Sequence, residues 1–381
     1  MSVEIGIIGA GNRGQKHAAE YATVEDADVV AIADVDEAAA RSLARETNAE
    51  VYGDYRDLLE DADVDAVSIC VHNNLHRPIT ADAAAAGCHV FCEKPMASTY
   101  TDARAMADAV EDAGVHLGVQ NNRLFQPETR AARTLIDEGK LGDPYYARGV
   151  FSRRRGRPYV DGYGTPSFVS KESAGGGPII DIGTYVIGQL LYLLGNERVE
   201  RVAGSTFEHT DEMYAEELIG EDHDRYADRL AESGYDVEDV GLGMAHLEDG
   251  SVLSIRAAWH MYLPDASSAL AGTRGGVEFD PFKFYTTTGD YEATVSLDIE
   301  EFERRQTLLE SDSGYEMERS GGQFHHWIDT VRGTADNVIP THEIALNSMI
   351  VMEGVYLVQE EGRELTADEI AERSESTAID P

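Results

Sequence analysis

The stretch Val3-Glu4-Ile5-Gly6-Ile7-Ile8 followed by Gly9-Ala10-Gly11-Asn12-Arg13-Gly14 constrains the fold more than any other part of the chain. A short apolar run that breaks at G-x-G-x-x-G and passes into a helical pattern reaching about Tyr21 reads as strand, tight turn and helix. Gly9 allows the turn, Gly11 lets the backbone approach a pyrophosphate, and Gly14 lets helix and strand pack closely, with the helix N-terminus at Asn12 and Arg13 stabilising the anion. Asp34 lies 20 residues beyond Gly14, at the end of a second apolar run, Val29 to Ala33. A carboxylate there bonds both ribose hydroxyls and repels a 2′-phosphate, so NAD is expected rather than NADP. The plainer alternative is a glycine turn beside a helix-capping aspartate.

The alternation continues through a helix over Asp36 to Glu46, a strand over Asp65 to Val71, a helix reaching Ala86, and a strand over His89 to Cys92. A helix over Tyr100 to Ala113 and a strand over Val115 to Gln120 follow, which predicts five or six parallel strands in roughly the first 122 residues. After Gln126-Pro127 helices become scarce. Strand candidates are Tyr145 to Phe151, Val199 to Phe207, Gly241 to Leu247, Ser251 to Trp259 and Val277 to Phe279, with a hairpin signal at Glu248-Asp249-Gly250. The expected fold is α/β: an N-terminal Rossmann domain over residues 1–125, then an α+β domain over 126–340 with a mostly antiparallel sheet. Residues 341–381 are expected to form a helix, Thr341 to Gln359, and an acidic tail from Glu360 that frays. The acidic stretch Thr210 to Asp239 reads as a surface insertion.

The chain has 381 residues and a net charge of −40, from 71 acidic and 31 basic side chains. Such a balance argues against nucleic acid or an anionic membrane surface as a partner. It suits a salt-rich cytoplasm, where the screening length falls to about 3 Å at 1 M, and the composition as a whole points to a halophile. Most Asp and Glu are accordingly read as solvating charge. No apolar run is long enough to span a membrane, and the N-terminus lacks the pattern of a signal peptide, so a cytoplasmic protein is expected. Cys70, Cys88 and Cys92 read as reduced packing residues. His325-His326-Trp327 has no further ligand at matching spacing, so no metal site is expected.

Lysine is scarce, five against 26 arginines, yet one stands at Cys92-Glu93-Lys94-Pro95, directly after a strand-like run. An ammonium can be tuned by its surroundings in a way a guanidinium cannot. Further along come Val71-His72-Asn73-Asn74-Leu75-His76, Arg123 with Pro127, and Gly175-Gly176-Gly177-Pro178-Ile179-Ile180-Asp181-Ile182-Gly183-Thr184-Tyr185. In this order, with the glycine turn, these motifs resemble the Gfo/Idh/MocA oxidoreductases, the glucose-fructose oxidoreductase and inositol dehydrogenase family. The resemblance implies a large open sheet in the second domain, commonly used to form a homodimer or homotetramer. It places Glu93 and Lys94 beside the nicotinamide, with a Lys94-Pro95 bond that is often cis. Lys94 would donate to the hydroxyl being oxidised and hold the oxygen as hydride leaves, while Glu93 orients.

Asp181 and Tyr185 stand four apart on one predicted helix face. The family usually carries histidine where Tyr185 stands, with tyrosine in a minority. A tyrosine base needs a neighbouring cation, and Lys94 is available. Asp181 either orients substrate and lysine or caps the helix. Asn74 and His76 resemble nicotinamide-side contacts, although the loop departs from the usual Thr-Pro-Asn. Asn122 and Arg123 follow the sixth strand at the ligand-binding sheet edge. Arg153, Arg154, Arg155 and Arg157 either bind a substrate anion or make salt bridges. Lys171 occupies a spacing the family shares and is a further substrate-site candidate. The implied activity is hydride transfer from a hydroxyl-bearing carbon of a sugar, sugar acid or polyol to NAD(P). An NAD-dependent glycosidase that oxidises transiently, and a non-catalytic cofactor-binding sensor, remain alternatives.

Overall fold

In a computed structural model, which describes residues 2–208, 210–263, 266–310 and 322–379, six parallel strands form the first sheet. They are β1 (Val3–Ile8), β2 (Ala27–Ala33), β3 (Glu50–Tyr52), β4 (Ala66–Ile69), β5 (His89–Cys92) and β6 (Leu117–Val119), in the order β3-β2-β1-β4-β5-β6. Their apolar runs are continuous rather than alternating because helices cover both faces. The order reverses between β1 and β4, so the carboxyl ends of these strands open a crevice at that point. The glycine turn leaves β1 there, and Glu93-Lys94 leaves the neighbouring β5.

The second sheet has nine strands: β7 (Pro144–Ser152), β8 (Val199–Phe207), β9 (Val240–Leu247), β10 (Val252–Ala258), β11 (Ala269–Gly272), β12 (Gly276–Phe279), β13 (Phe282–Thr288), β14 (Tyr291–Val295) and β15 (Leu365–Thr366). Their order is β14-β13-β12-β11-β7-β10-β9-β8-β15, and only β7 and β10 run parallel. Glu248-Asp249-Gly250 makes the expected hairpin between β9 and β10, with Gly250 at φ +88°. Strands β11, β13, β14 and β15 escape sequence reading because they are short or rich in Ala, Gly and Thr, with little alternation to mark them. On β10, Leu253, Ile255 and Ala257 point to the core beneath the helix Thr184–Leu193, while the opposite face leaves Tyr146, Leu242 and Met244 exposed.

The division of the chain is less linear than its sequence suggests. The helix Gln323–Arg332 returns to the first sheet, where Phe324, Trp327 and Ile328 share a core with Val3, Ile5, Ile7 and Phe91. The helix Thr341–Glu361 packs against β8 and against the helix Tyr100–Ala113, joining the two sheets.

Two expectations are corrected. Through residue 379 the acidic tail does not fray: Leu365–Thr366 adds to β8, and a capping box of Thr366 and Glu369 starts the helix Ala367–Arg373. Beyond it, the buried Asp102 carboxylate accepts from Ser376 Oγ at 2.6 Å and Thr377 N at 3.0 Å, so the chain straps back onto the first domain. Residues 380 and 381 lie outside the described set. The stretch Thr210 to Asp239 does carry surface helices, but its end turns inward, with Glu238 and Asp239 8% and 0% exposed.

Replacing Asp102 with alanine strands the buried Thr99 hydroxyl and removes the acceptor of Ser376 and Thr377 on the strap, at a cost of about 2 kcal/mol. The variant should melt several degrees lower and release residues after Arg373 to carboxypeptidase; wild-type melting and protease resistance would show that the strap is not held there.

Candidate active site

The glycine turn is built by contacts a side chain would break. Gly9 sits at φ +102°, and a Cβ on it would come within 2.5 Å of the Cys70 carbonyl oxygen; one on Gly14 would meet the Gly9 oxygen at 1.9 Å. Gly11 has open space around it and no side chain caps the helix Asn12–Tyr21, which leaves the first-turn N–H groups for an anion. Asp34, half-buried at the end of β2, accepts from Ala10 N at 2.6 Å and Asp36 N at 2.8 Å. It braces the turn and keeps lone pairs for further donors.

At the end of β5, Glu93 and Lys94 are both buried, and the Lys94-Pro95 peptide bond is cis. Glu93 Oε1 lies 3.1 Å from His17 Nε2 and 3.7 Å from the Arg13 guanidinium. Burial alone would raise the Glu93 pKa, but His17, Arg13 and Lys94 outweigh it and hold the carboxyl at about 2. Lys94 points the other way, across to the second domain, where its ammonium donates to Asp181 Oδ1 at 2.9 Å and to the Asp181 carbonyl at 2.6 Å. Burial would lower the Lys94 pKa, yet Asp181, Tyr185 and Glu93 prevail and raise it. Asp181 is lowered: burial opposes its charge, and Lys94 with the Trp259 indole overcomes that. Trp259 Nε1 donates to Asp181 Oδ2 at 3.0 Å, so each carboxylate oxygen has a partner. The carboxylate therefore binds lysine and indole instead of capping the helix.

Asp181 lies in one π-helical turn, Ile179–Gly183, that runs into the helix Thr184–Leu193 and carries Tyr185. The Lys94 nitrogen sits 4.8 Å from the Tyr185 ring centroid, over the ring, and Arg13, whose pKa is raised, is close enough to Tyr185 for the two to interact electrostatically. Asn121 Nδ2 donates to the Tyr185 carbonyl at 3.3 Å and its Oδ1 accepts from Arg123 N at 3.1 Å, tying this helix to the end of the first sheet. Arg123 lies over the Phe151 ring and reaches Gln189, and Asn122 is exposed at the rim.

Some candidates fall outside the cleft. His76 is 0% exposed, with Nδ1 facing the Pro95 and Met96 carbonyls and Nε2 facing that of Val71, so it braces the Lys94 loop and cannot meet a cofactor. Asn74 is buried too, its amide 3.5 Å from the Glu172 carbonyl. Lys171 is a surface residue paired with Glu360 at 3.4 Å. The arginine cluster divides: Arg155 pairs with Asp161, and the fully buried Arg157 with Asp239 at 2.7 Å, while Arg153 turns to the cleft beside Phe151 and Tyr163.

Glu238 was hidden from sequence reading by its place in an acidic stretch. Its buried carboxylate accepts from Gly177 N at 2.9 Å, Ile179 N at 3.4 Å and the Tyr356 hydroxyl at 2.6 Å, anchoring the start of the segment that bears Asp181. A Cβ on Gly177 would meet the Glu238 carbonyl oxygen at 2.3 Å, which explains glycine there. Trp259 and Phe151 were likewise missed; a tryptophan closing a strand was the signal available.

A dinucleotide-binding turn facing, across a domain junction, a buried ammonium, carboxylate and phenol defines a two-domain nucleotide-binding protein with an enzyme-like cleft. Residues 3–121 match the oxidoreductase family with an NAD-binding Rossmann fold, and residues 129–278 match the GFO/IDH/MocA C-terminal domain. The D-glucoside 3-dehydrogenase of Escherichia coli (strain K12) is 30% identical over 315 residues, 81% of this chain and 86% of that protein. The inositol 2-dehydrogenase of Rhizobium meliloti (strain 1021) is 30% identical over 76% of this chain and 80% of its own. A levoglucosan dehydrogenase solved with NADH and L-sorbose shares the fold at a TM-score of 0.76 and 22% identity, over 97% of this chain and 100% of that one. The chain belongs to the Gfo/Idh/MocA family of oxidoreductases.

Burial raises the Glu238 pKa to about 7, against its three hydrogen bonds, from an ordinary 4.5. A raised carboxyl favours the folded state below pH 4.5, and this contribution is lost as pH rises through about 7. Glu238→Gln keeps an acceptor for Gly177 and stays neutral, so its melting temperature relative to wild type should climb between about pH 5 and 8. A constant difference across that range would contradict the assignment.

Proposed function

We propose that the chain is an NAD-dependent dehydrogenase that removes hydride from a hydroxyl-bearing carbon of a sugar, sugar acid or polyol. The observation that carries this reading is the buried Lys94–Asp181 pair at 2.9 Å, which brings an ammonium from the nucleotide-binding sheet against the helix that carries Tyr185. The residues present fit NAD: the first-turn N–H groups beside Gly11 suit its pyrophosphate, and the remaining lone pairs of Asp34 suit two ribose hydroxyls. NAD supplies the hydride acceptor when bound. An ammonium has three donors, and Lys94 spends two on Asp181, so the third is free to hold the substrate oxygen. As hydride leaves, negative charge on that oxygen is stabilised by Lys94, which stays charged in a site that excludes water. Tyr185, with the Lys94 ammonium over its ring, is the general base that takes the hydroxyl proton.

The charge of −40 supports a salt-rich cytoplasm as the setting. Among the described residues no helix is long and apolar enough to cross a membrane. The exposed Tyr146, Leu242 and Met244 on the open face of the second sheet support a homodimer or homotetramer formed through that face.

Lys94→Ala should lower turnover by about 10³-fold while calorimetric NAD affinity stays within a few fold. The assay is NADH formation from sugars, sugar acids and cyclitols, run at low and high salt; activity near wild type in the variant would remove Lys94 from the chemistry. Net NADH accumulation also separates a dehydrogenase from a glycosidase that recycles its cofactor, and from a sensor.

Asp34→Ala tests the nucleotide preference. Losing the carboxylate should weaken NAD and lift the repulsion on a 2′-phosphate, raising the NADP-to-NAD ratio of kcat/KM by about tenfold or more; an unmoved ratio would mean that Asp34 only braces the turn.

A further inference from the structure

Four cations around the cleft are each matched by a carboxylate. Lys94 has Asp181, Arg13 has Glu93, Arg155 has Asp161 and Arg157 has Asp239. Arg153 has neutral partners: its guanidinium donates to the Tyr163 hydroxyl and to the Gly156 carbonyl at 3.5 Å, and lies 5.8 Å from the Phe151 ring centroid and 5.1 Å from that of Tyr163. Among the described residues no carboxylate is within ion-pairing distance of it, in a chain with 71 acidic side chains. The carboxylate whose charge it senses, Asp181, already has Lys94 on one oxygen and Trp259 on the other.

Arg153 is also held in place. Its N–H donates to the Ala258 carbonyl at 2.8 Å and its carbonyl accepts from Met261 N at 2.9 Å, which locks its backbone to the end of β10. The residue just past the end of that strand is Trp259, the partner of Asp181. Phe151, two residues before Arg153, lies 6.5 Å from the Tyr185 ring. A planar fork of donors thus stands on a fixed backbone beside the aromatic wall of the cleft, with donors left over.

We propose that Arg153 is a specificity residue that binds the carboxylate of a sugar-acid substrate, a refinement that rests on the dehydrogenase reading above. A single guanidinium matches a carboxylate monoanion in charge and in its two parallel N–H···O bonds, and matches a phosphate dianion less well. Without a local cation, a molecule of charge −40 would repel such a substrate; with one, and with the long-range field screened by salt, the anion reaches the cleft and is held there.

The experiment compares kcat/KM for uronic and aldonic acids, their uncharged counterparts and the matching 6-phosphates, using wild type, Arg153→Gln and Arg153→Lys. Wild type should favour the acid over its neutral counterpart by about ten- to a hundredfold. That ratio should collapse in Arg153→Gln and recover in part in Arg153→Lys. A wild-type enzyme that uses the neutral sugar as well as the acid overturns the proposal, as does a ratio that Arg153→Gln leaves unchanged, or preference for the phosphate. These outcomes leave the dehydrogenase standing. If wild type binds NAD yet forms NADH neither from this panel nor from the cyclitols, the dehydrogenase reading fails and this refinement fails with it.

Discussion

The contact between Lys94 and Asp181 is the one on which the cleft depends. It joins the carboxyl end of β5 in one domain to the π-helical turn Ile179–Gly183 in the other. With the two side chains only 6% and 14% exposed, the attraction is little screened, but the desolvation of both charges offsets much of it. Its value lies in register. An ammonium buried without Asp181, or the carboxylate without Lys94, would be strongly destabilising, so the two domains meet with these groups opposed or do not meet well. The hydrogen bonds around the pair work to the same end: Trp259 fixes the second oxygen of Asp181, and Glu238 holds the backbone at Gly177 and Ile179 that leads into it.

The same charge arithmetic separates the surface from the site. Exposed pairs such as Arg198 with Asp368 or Lys171 with Glu360 are each worth little and weaken in salt. At about 1 M salt the screening length is comparable to a contact distance. Repulsion among exposed carboxylates is then suppressed, while the interior pairs, which ions cannot reach, keep their geometry. A highly acidic exterior and a finely balanced buried site are therefore compatible in one chain.

What could be read from sequence was what is local. The glycine turn, Asp34 at the end of β2, Glu93-Lys94-Pro95 after β5, and Asp181 with Tyr185 are short motifs whose spacing encodes their geometry. The errors came where a residue's partner is distant in the chain. His76 sits one loop from the nucleotide site, but nothing local reveals that both its ring nitrogens are taken by the carbonyls of Val71, Pro95 and Met96. Lys171 precedes the glycine run by four residues and still faces solvent. Glu238 looked like one more solvating acid in an acidic stretch, since its partners Gly177 and Tyr356 lie 61 and 118 residues away. The tail after Glu360 has the composition of a fraying end and is held by Asp102, more than 270 residues upstream.

Tyr185 in a position where the family usually carries histidine gains its meaning from this geometry. Sequence reasoning gave Lys94 two duties, holding the substrate oxygen and activating the phenol. With Lys94 over the ring and two of its donors on Asp181, a second cation that interacts electrostatically with Tyr185 is Arg13, a residue of the glycine turn. Arg13 is itself held by Glu93, which His17 and Arg13 together keep ionised. The turn that suits a pyrophosphate thus also places a cation beside the acid/base candidate. The anion-binding turn and the neighbourhood of the acid/base candidate meet at one residue.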